Sequence, residues 1–156
     1  MKAATGKSKR KHRLFTPPSK TRVPWCSLVG GVESRRDALH AIEQGLSFAD
    51  FEELAVLLDI SHAVLGEIVF ISHRTLSRRK KAKEFFKADE SDRILRVARL
   101  FDRSVAVLGS QEEARGWLKE PQRLLGGQTP LEFMSTEVGA REVEDLLGRI
   151  EYGVFS

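Results

Sequence analysis

From residue 72 to residue 83 the sequence reads Ser-His-Arg-Thr-Leu-Ser-Arg-Arg-Lys-Lys-Ala-Lys. The chemistry open to these side chains is non-covalent. Arginine and lysine neutralise phosphates, while Ser, Thr, His and Arg reach the edges of bases. In a helix Leu76 faces the core and the polar residues face out. The expected DNA contacts are therefore Ser72, His73, Arg74, Thr75, Ser77, Arg78, Arg79, Lys81 and Lys83. Ser72 also caps such a helix, and the helix's first amides are placed to hold a phosphate. The competing reading is an ordinary basic amphipathic helix with a solvated face.

Covalent chemistry finds no comparable grouping. His12, His40, His62 and His73 do not cluster with carboxylates at metal-ligand spacing. Gly126-Gly127 is not followed by the Gly-Lys-Ser/Thr of a phosphate loop. Glu52-Glu53 and Glu112-Glu113 are neighbours that diverge on a helix. Cys26 stands beside Trp25 without a visible base. It is the single cysteine of the chain, so no intramolecular disulfide forms. The expectation is a non-enzymatic protein that needs no metal or cofactor.

Charge along the 156 residues is uneven. Residues 1–24 hold eight Lys/Arg and no acid, and residues 73–87 hold seven basic residues against Glu84 alone. The remaining stretches are net acidic. Two basic islands in an acidic chain are the footprint of a polyanion-binding protein. The apolar runs, such as Ile68-Val69-Phe70-Ile71, are far shorter than the ~18 residues of a membrane span. No membrane contact is expected, and a cytoplasmic location is the default.

The elements that must position the basic residues are helices. Residues 1–24 read as a flexible basic arm with Pro17, Pro18 and Pro24. No proline follows until Pro121. Helix starts are marked by Ser34-x-x-Asp37, Ser47-x-x-Asp50, Ser61, Ser72, Ser110-x-x-Glu113 and Thr129-Pro130-x-Glu132. Ala38, Ile42, Phe51, Leu54, Ala55 and Leu58 fall at helical spacing. So do Ile94, Val97, Ala98, Phe101 and Val105, and later Val143, Leu146, Leu147 and Ile150. No alternating strand of useful length appears, and the fold class is all-α. In residues 61–83 a short helix carries Leu65, Ile68 and Val69 inward, with Gly66 where two helices cross. A tight turn at Phe70-Ile71 leads to the basic helix.

The Ile-Ser turn followed by Arg-Thr-Leu-x-Arg-Arg resembles the helix-turn-helix of Xre-type repressors, with Phe70 where many members have glycine. Further on come Leu108-Gly109-Ser110, Glu113-Ala114, Trp117-Leu118, Pro121 and Leu125-Gly126-Gly127-Gln128-Thr129-Pro130-Leu131. Thr136-Glu137-Val138-Gly139 and Leu147-Gly148-Arg149-Ile150-Glu151-Tyr152-Gly153-Val154 close the series. These landmarks, with Gln122 where asparagine is common, resemble the toxin-binding domain of the Xre/MbcA/ParS antitoxins.

After the basic arm over 1–24, the resemblance implies a helix-turn-helix domain over 25–90 and a toxin-binding domain over 91–156. It implies an antitoxin that neutralises a RES-type, NAD-degrading toxin and, as a homodimer, binds double-stranded operator DNA to repress its own operon. The toxin contacts it implies are Arg149, Ile150, Glu151, Tyr152, Gly153, Val154 and Phe155. From chemistry alone, an aromatic C-terminus either packs back on its own core or enters a partner. Two alternatives stand beside this reading. One is a stand-alone regulator whose C-terminal domain dimerises; the other is a protein inhibitor with a vestigial helix-turn-helix.

Overall fold

The computed structural model describes residues 35–153. Within them the chain forms α1 (Arg35–Gln44), α2 (Phe48–Leu58), α3 (His62–Ile68), α4 (His73–Ala82) and α5 (Ala88–Leu108). There follow α6 (Gln111–Lys119), a 3-10 turn (Arg123–Leu125), α7 (Pro130–Phe133) and α8 (Glu137–Glu151). The described residues contain no strand, so the architecture is all-α. None of the described helices is long and apolar enough to cross a membrane.

Local chemistry starts most of these helices. Ser47 accepts from the Asp50 amide while Asp50 accepts from the Ser47 amide, closing a capping box. Thr129 and Glu132 form a second box with Pro130 at the first helical position. Ser61 and Ser72 cap α3 and α4. Of the Ser110 motif, the serine half forms, at 3.1 Å to the Glu113 amide. Ser34 lies outside the described residues. Thr136 caps α8 through the Gly139 amide. A Cβ on Gly139 would stand 1.8 Å from the Phe133 carbonyl oxygen, so only glycine lets α7 turn this closely into α8.

The 21-residue α5, roughly 30 Å long, is the axis of the molecule. Helices α1, α2, α6 and α8 pack against it. Ile94, Val97, Ala98 and Phe101 are buried at the spacing read from the sequence, and Leu95 and Leu100 are buried as well. The buried face is wider than one stripe because helices cover α5 from several sides. One core runs through both halves, joining Phe51, Leu54 and Leu65 to Leu118, Val143 and Leu147. The division expected between residues 90 and 91 falls in the first turn of α5, so both halves share that helix.

Three cations of α5 and α6 hold the ends of earlier helices. The final carbonyls of a helix lack partners within it and carry partial negative charge. Arg115 donates from Nε to the Leu57 carbonyl at 2.5 Å. Lys119 donates to the Asp59 carbonyl at 2.6 Å and to its carboxylate at 3.1 Å. Arg93 donates from Nε to the Val69 carbonyl at 2.7 Å. The C-termini of α2 and α3 are thus held by side chains of α5 and α6.

Candidate nucleic-acid interface and C-terminal partner surface

Helices α3 and α4 meet as the sequence implies. Leu65, Ile68, Val69, Ile71 and Leu76 of this segment are buried. A Cβ on Gly66 would lie 2.8 Å from Leu76 Cδ1 and 2.9 Å from the Ile71 carbonyl oxygen, so glycine sets the close crossing. The turn keeps its form with Phe70 in place of glycine. Phe70 sits in the left-handed region at φ 55°, its amide bonded to the Glu67 carbonyl at 3.2 Å. That conformation costs a non-glycine residue about 1 kcal/mol. The ring does not recover this through burial, since it is 63% exposed. Ser72 accepts from the Thr75 amide at 3.2 Å, and the two hydroxyls lie 3.0 Å apart.

Most of the expected DNA contacts share one exposed face. His73, Arg74, Ser77, Arg78, Lys81 and Lys83 are exposed, as is Ser72, while Thr75 is half-buried. Arg79 requires a correction. It was expected to face out with its neighbours, and its side chain is 5% exposed. Its Nη2 donates to Glu90 Oε2 at 2.6 Å and its Nη1 to the Phe85 carbonyl at 2.8 Å. The guanidinium also lies over the Phe86 ring, 5.5 Å from the centroid. Arg79 follows Leu76 by three residues and so shares its inward face. The Glu90 carboxylate neutralises it there while also accepting from the Lys87 amide at 2.8 Å.

Two other cations of α4 have local partners. Lys80 donates to Glu52 at 3.0 Å and lies over the Phe48 ring. Arg78 Nε stands 3.7 Å from the Glu84 carboxylate. Arg74 and Lys81 have no ion-pair partner among the described residues. The sequence reading missed Glu90, Arg115 and Lys119. The available signal for Glu90 was its place three residues after Lys87, where an acid bonds back to the start of a helix.

At the other end of the molecule, α8 presents Arg149 to solvent and packs Ile150 partly against the core. Glu151 pairs with Arg103 of α5. Tyr152 is 79% exposed, and Gly153 follows in the left-handed region. Tyr152 therefore does not seal the core formed by the described residues. Val154 and Phe155, also expected at this surface, lie outside the described residues, as do the basic arm, His12 and Cys26.

The remaining chemical candidates stay dispersed. His62 stands edge-on to Phe48 and Phe51, with Nε2 3.8 Å from Glu52. Among the described residues no three His, Cys, Asp or Glu side chains are grouped to hold a metal ion.

Comparison with known proteins finds two family domains in this chain. Residues 37–99 match the antitoxin Xre-like helix-turn-helix domain, and residues 103–153 match the antitoxin Xre/MbcA/ParS C-terminal toxin-binding domain. Antitoxin Xre of Yersinia enterocolitica is 36% identical over 143 residues, spanning 90% of this chain and 96% of that protein. Antitoxin Xre of Photorhabdus laumondii is 37% identical over 147 residues, spanning 92% and 99%. A chain in the crystal structure of the Mycobacterium tuberculosis MbcT–MbcA toxin–antitoxin complex superposes with a TM-score of 0.51. It is 22% identical, with 68% of this chain and 94% of that one covered, and the likeness is one of fold.

Proposed function

Because the chain belongs to the Xre antitoxin family, we propose that it neutralises a RES-type, NAD-degrading toxin and, as a homodimer, represses its own operon by binding double-stranded operator DNA. It is an antitoxin of a toxin–antitoxin system and carries a helix-turn-helix domain. It acts by binding rather than by catalysis, and works in the cytoplasm.

The observation that carries the toxin half of this reading is Tyr152. A large aromatic side chain, 79% exposed at the end of a well-packed helix, takes no part in the core formed by the described residues. Tyrosine and arginine are the residue types that anchor interfaces. Arg149 lies exposed one turn earlier and has the planar fork that matches a carboxylate. In this reading residues 149–155 form the toxin-binding surface, with Arg149 and the tail from Tyr152 onward entering the toxin's active-site cleft. Ile150 and the Glu151–Arg103 pair fix where that tail leaves the core.

The DNA half is supported by the exposed arc of α4 and by the cap at its N-terminus. In a helix-turn-helix the second helix enters the major groove with its first residues on base edges.

Affinity capture of the tagged full-length protein from its native host tests both halves. The expected catch is a RES-type toxin together with the promoter of the shared operon. Recovery of a toxin of another class, or of DNA without any toxin, would overturn the first half. Failure of the Tyr152→Ala protein to protect cells from the toxin, while remaining folded, is the expected result at the tail.

A further inference from the structure

We infer that α4 reads DNA sequence through Arg74, which addresses a guanine, while Arg78 and Lys81 hold phosphates. The inference rests on the operator-binding reading above and divides labour among residues which that reading treats alike.

The rotation of α4 about its axis decides which side chains meet the groove. Leu76 and Arg79 are both buried, with Arg79 bolted to Glu90 and to the Phe85 carbonyl. At about 100° per residue, His73, Ser77, Lys81, Arg74 and Arg78 then fall in an arc of roughly 140° on the opposite side. All five are exposed. The same two inward residues that hold the helix therefore aim this arc.

Position along the helix separates the three cations within the arc. Arg74 is in the first turn, next to the Ser72 cap, where recognition helices reach base edges. Lys81 is in the last turn, about 10 Å further along the axis. At that distance from the groove floor it meets the flanking backbone. Arg78 stands in the middle at the edge of the arc, tethered at 3.7 Å to Glu84. A cation at the edge of the groove-facing surface meets the phosphate wall.

Chemistry then names the base. Arg74 has no ion-pair partner among the described residues, so its full fork of donors is available. Two parallel donors in a plane match the O6 and N7 acceptors that guanine presents in the major groove. Alanine at position 74 removes these donors, whereas alanine at a phosphate contact leaves base reading in place. Base reading and phosphate holding are therefore separable by comparing substitutions at positions 74 and 78.

The test uses full-length protein and duplexes selected by it from a random pool. The selected sequences should share a guanine at a fixed position. Replacing that guanine by 7-deazaguanine, which lacks the N7 acceptor, should weaken wild-type binding about tenfold or more. Arg74→Ala should bind both duplexes equally, whereas Arg78→Ala should keep the guanine requirement. If Arg74→Ala still requires the guanine, or if the wild-type protein ignores the deaza base, the assignment of Arg74 is overturned. Loss of guanine preference in Arg78→Ala alone would overturn it too, by showing a different rotation of α4. If no duplex is enriched and binding shows no salt dependence, the operator reading fails and takes this inference with it.

Discussion

Arg79 Nη2 and Glu90 Oε2 lie 2.6 Å apart, joining the helix that carries the basic face to the first turn of the helix that organises the whole molecule. Both residues are buried, Arg79 at 4% and Glu90 at 8% exposure. Breaking one partner of such a pair leaves the other charge buried and uncompensated, at a cost of about 3–5 kcal/mol. Arg79→Ala is therefore expected to lower the thermal midpoint strongly. Arg78→Ala, one residue earlier and exposed, should change stability by no more than about 0.5 kcal/mol. Equal midpoints for the two variants would remove Arg79 from its structural role.

The exposed cations make the opposite prediction. Arg78→Ala combined with Lys81→Ala should leave the fold intact. It should reduce the steepness of log K against log salt by about 0.9 for each phosphate no longer neutralised. Binding isotherms on promoter DNA across a salt series measure this. An unchanged slope would place the DNA-binding face elsewhere.

Phe70 holds a left-handed backbone with an exposed ring. Phe70→Gly removes about 1 kcal/mol of backbone strain and little buried surface. Its thermal midpoint is expected to equal or exceed that of the wild type. Gly66→Ala should do the reverse, because its Cβ would overlap Leu76 and the Ile71 carbonyl. A clear loss of stability in Phe70→Gly would show that the ring is packed.

Where the C-terminus is cut should matter. A chain ending at Gly148 lacks Ile150 at the edge of the core and the Glu151–Arg103 pair. A chain ending at Glu151 keeps both and lacks only Tyr152 and the residues after it. The shorter chain should melt earlier, by an amount set mainly by the buried part of Ile150. The longer one should melt with the wild type yet fail to neutralise toxin. Full neutralisation by the chain ending at Glu151 would exclude the tail as the toxin-binding element.

Residues 35–90 alone are expected not to fold. Ile94, Leu95, Ala98 and Phe101, which wall the core on the α5 side, all lie beyond residue 90. The carbonyls at the ends of α2 and α3 would also be deprived of Arg115, Lys119 and Arg93. Circular dichroism of this fragment should show little helix. A cooperative thermal transition would establish the two halves as independent domains.

Much of the fold was legible in the sequence because the interactions that start its helices are local. Ser47 with Asp50, Thr129 with Glu132 and Ser72 with Thr75 are pairs of residues three apart, and the chain order alone brings them together. Gly66 and Leu76 likewise announce a close crossing through size and spacing. The apolar rows of α5 and α8 identify an inward face by period alone.

The sequence by itself therefore determined that the chain is helical, where most helices begin, and that a basic helix follows a short apolar one. It did not determine which cations on that helix are free. Arg78 and Arg79 are adjacent and chemically identical, and the three-residue spacing of Arg79 from Leu76 does not by itself bury a charge. Arg79 turns inward because Glu90, eleven residues on, and the Phe85 carbonyl receive it there. Arg115 and Lys119 leave the surface pool for the same kind of reason, reaching carbonyls 58 and 60 residues away. A cap is set by backbone spacing, whereas the rotation of a helix and the solvation of its charges are set by whatever packs against it, and that is decided only when distant parts of the chain meet.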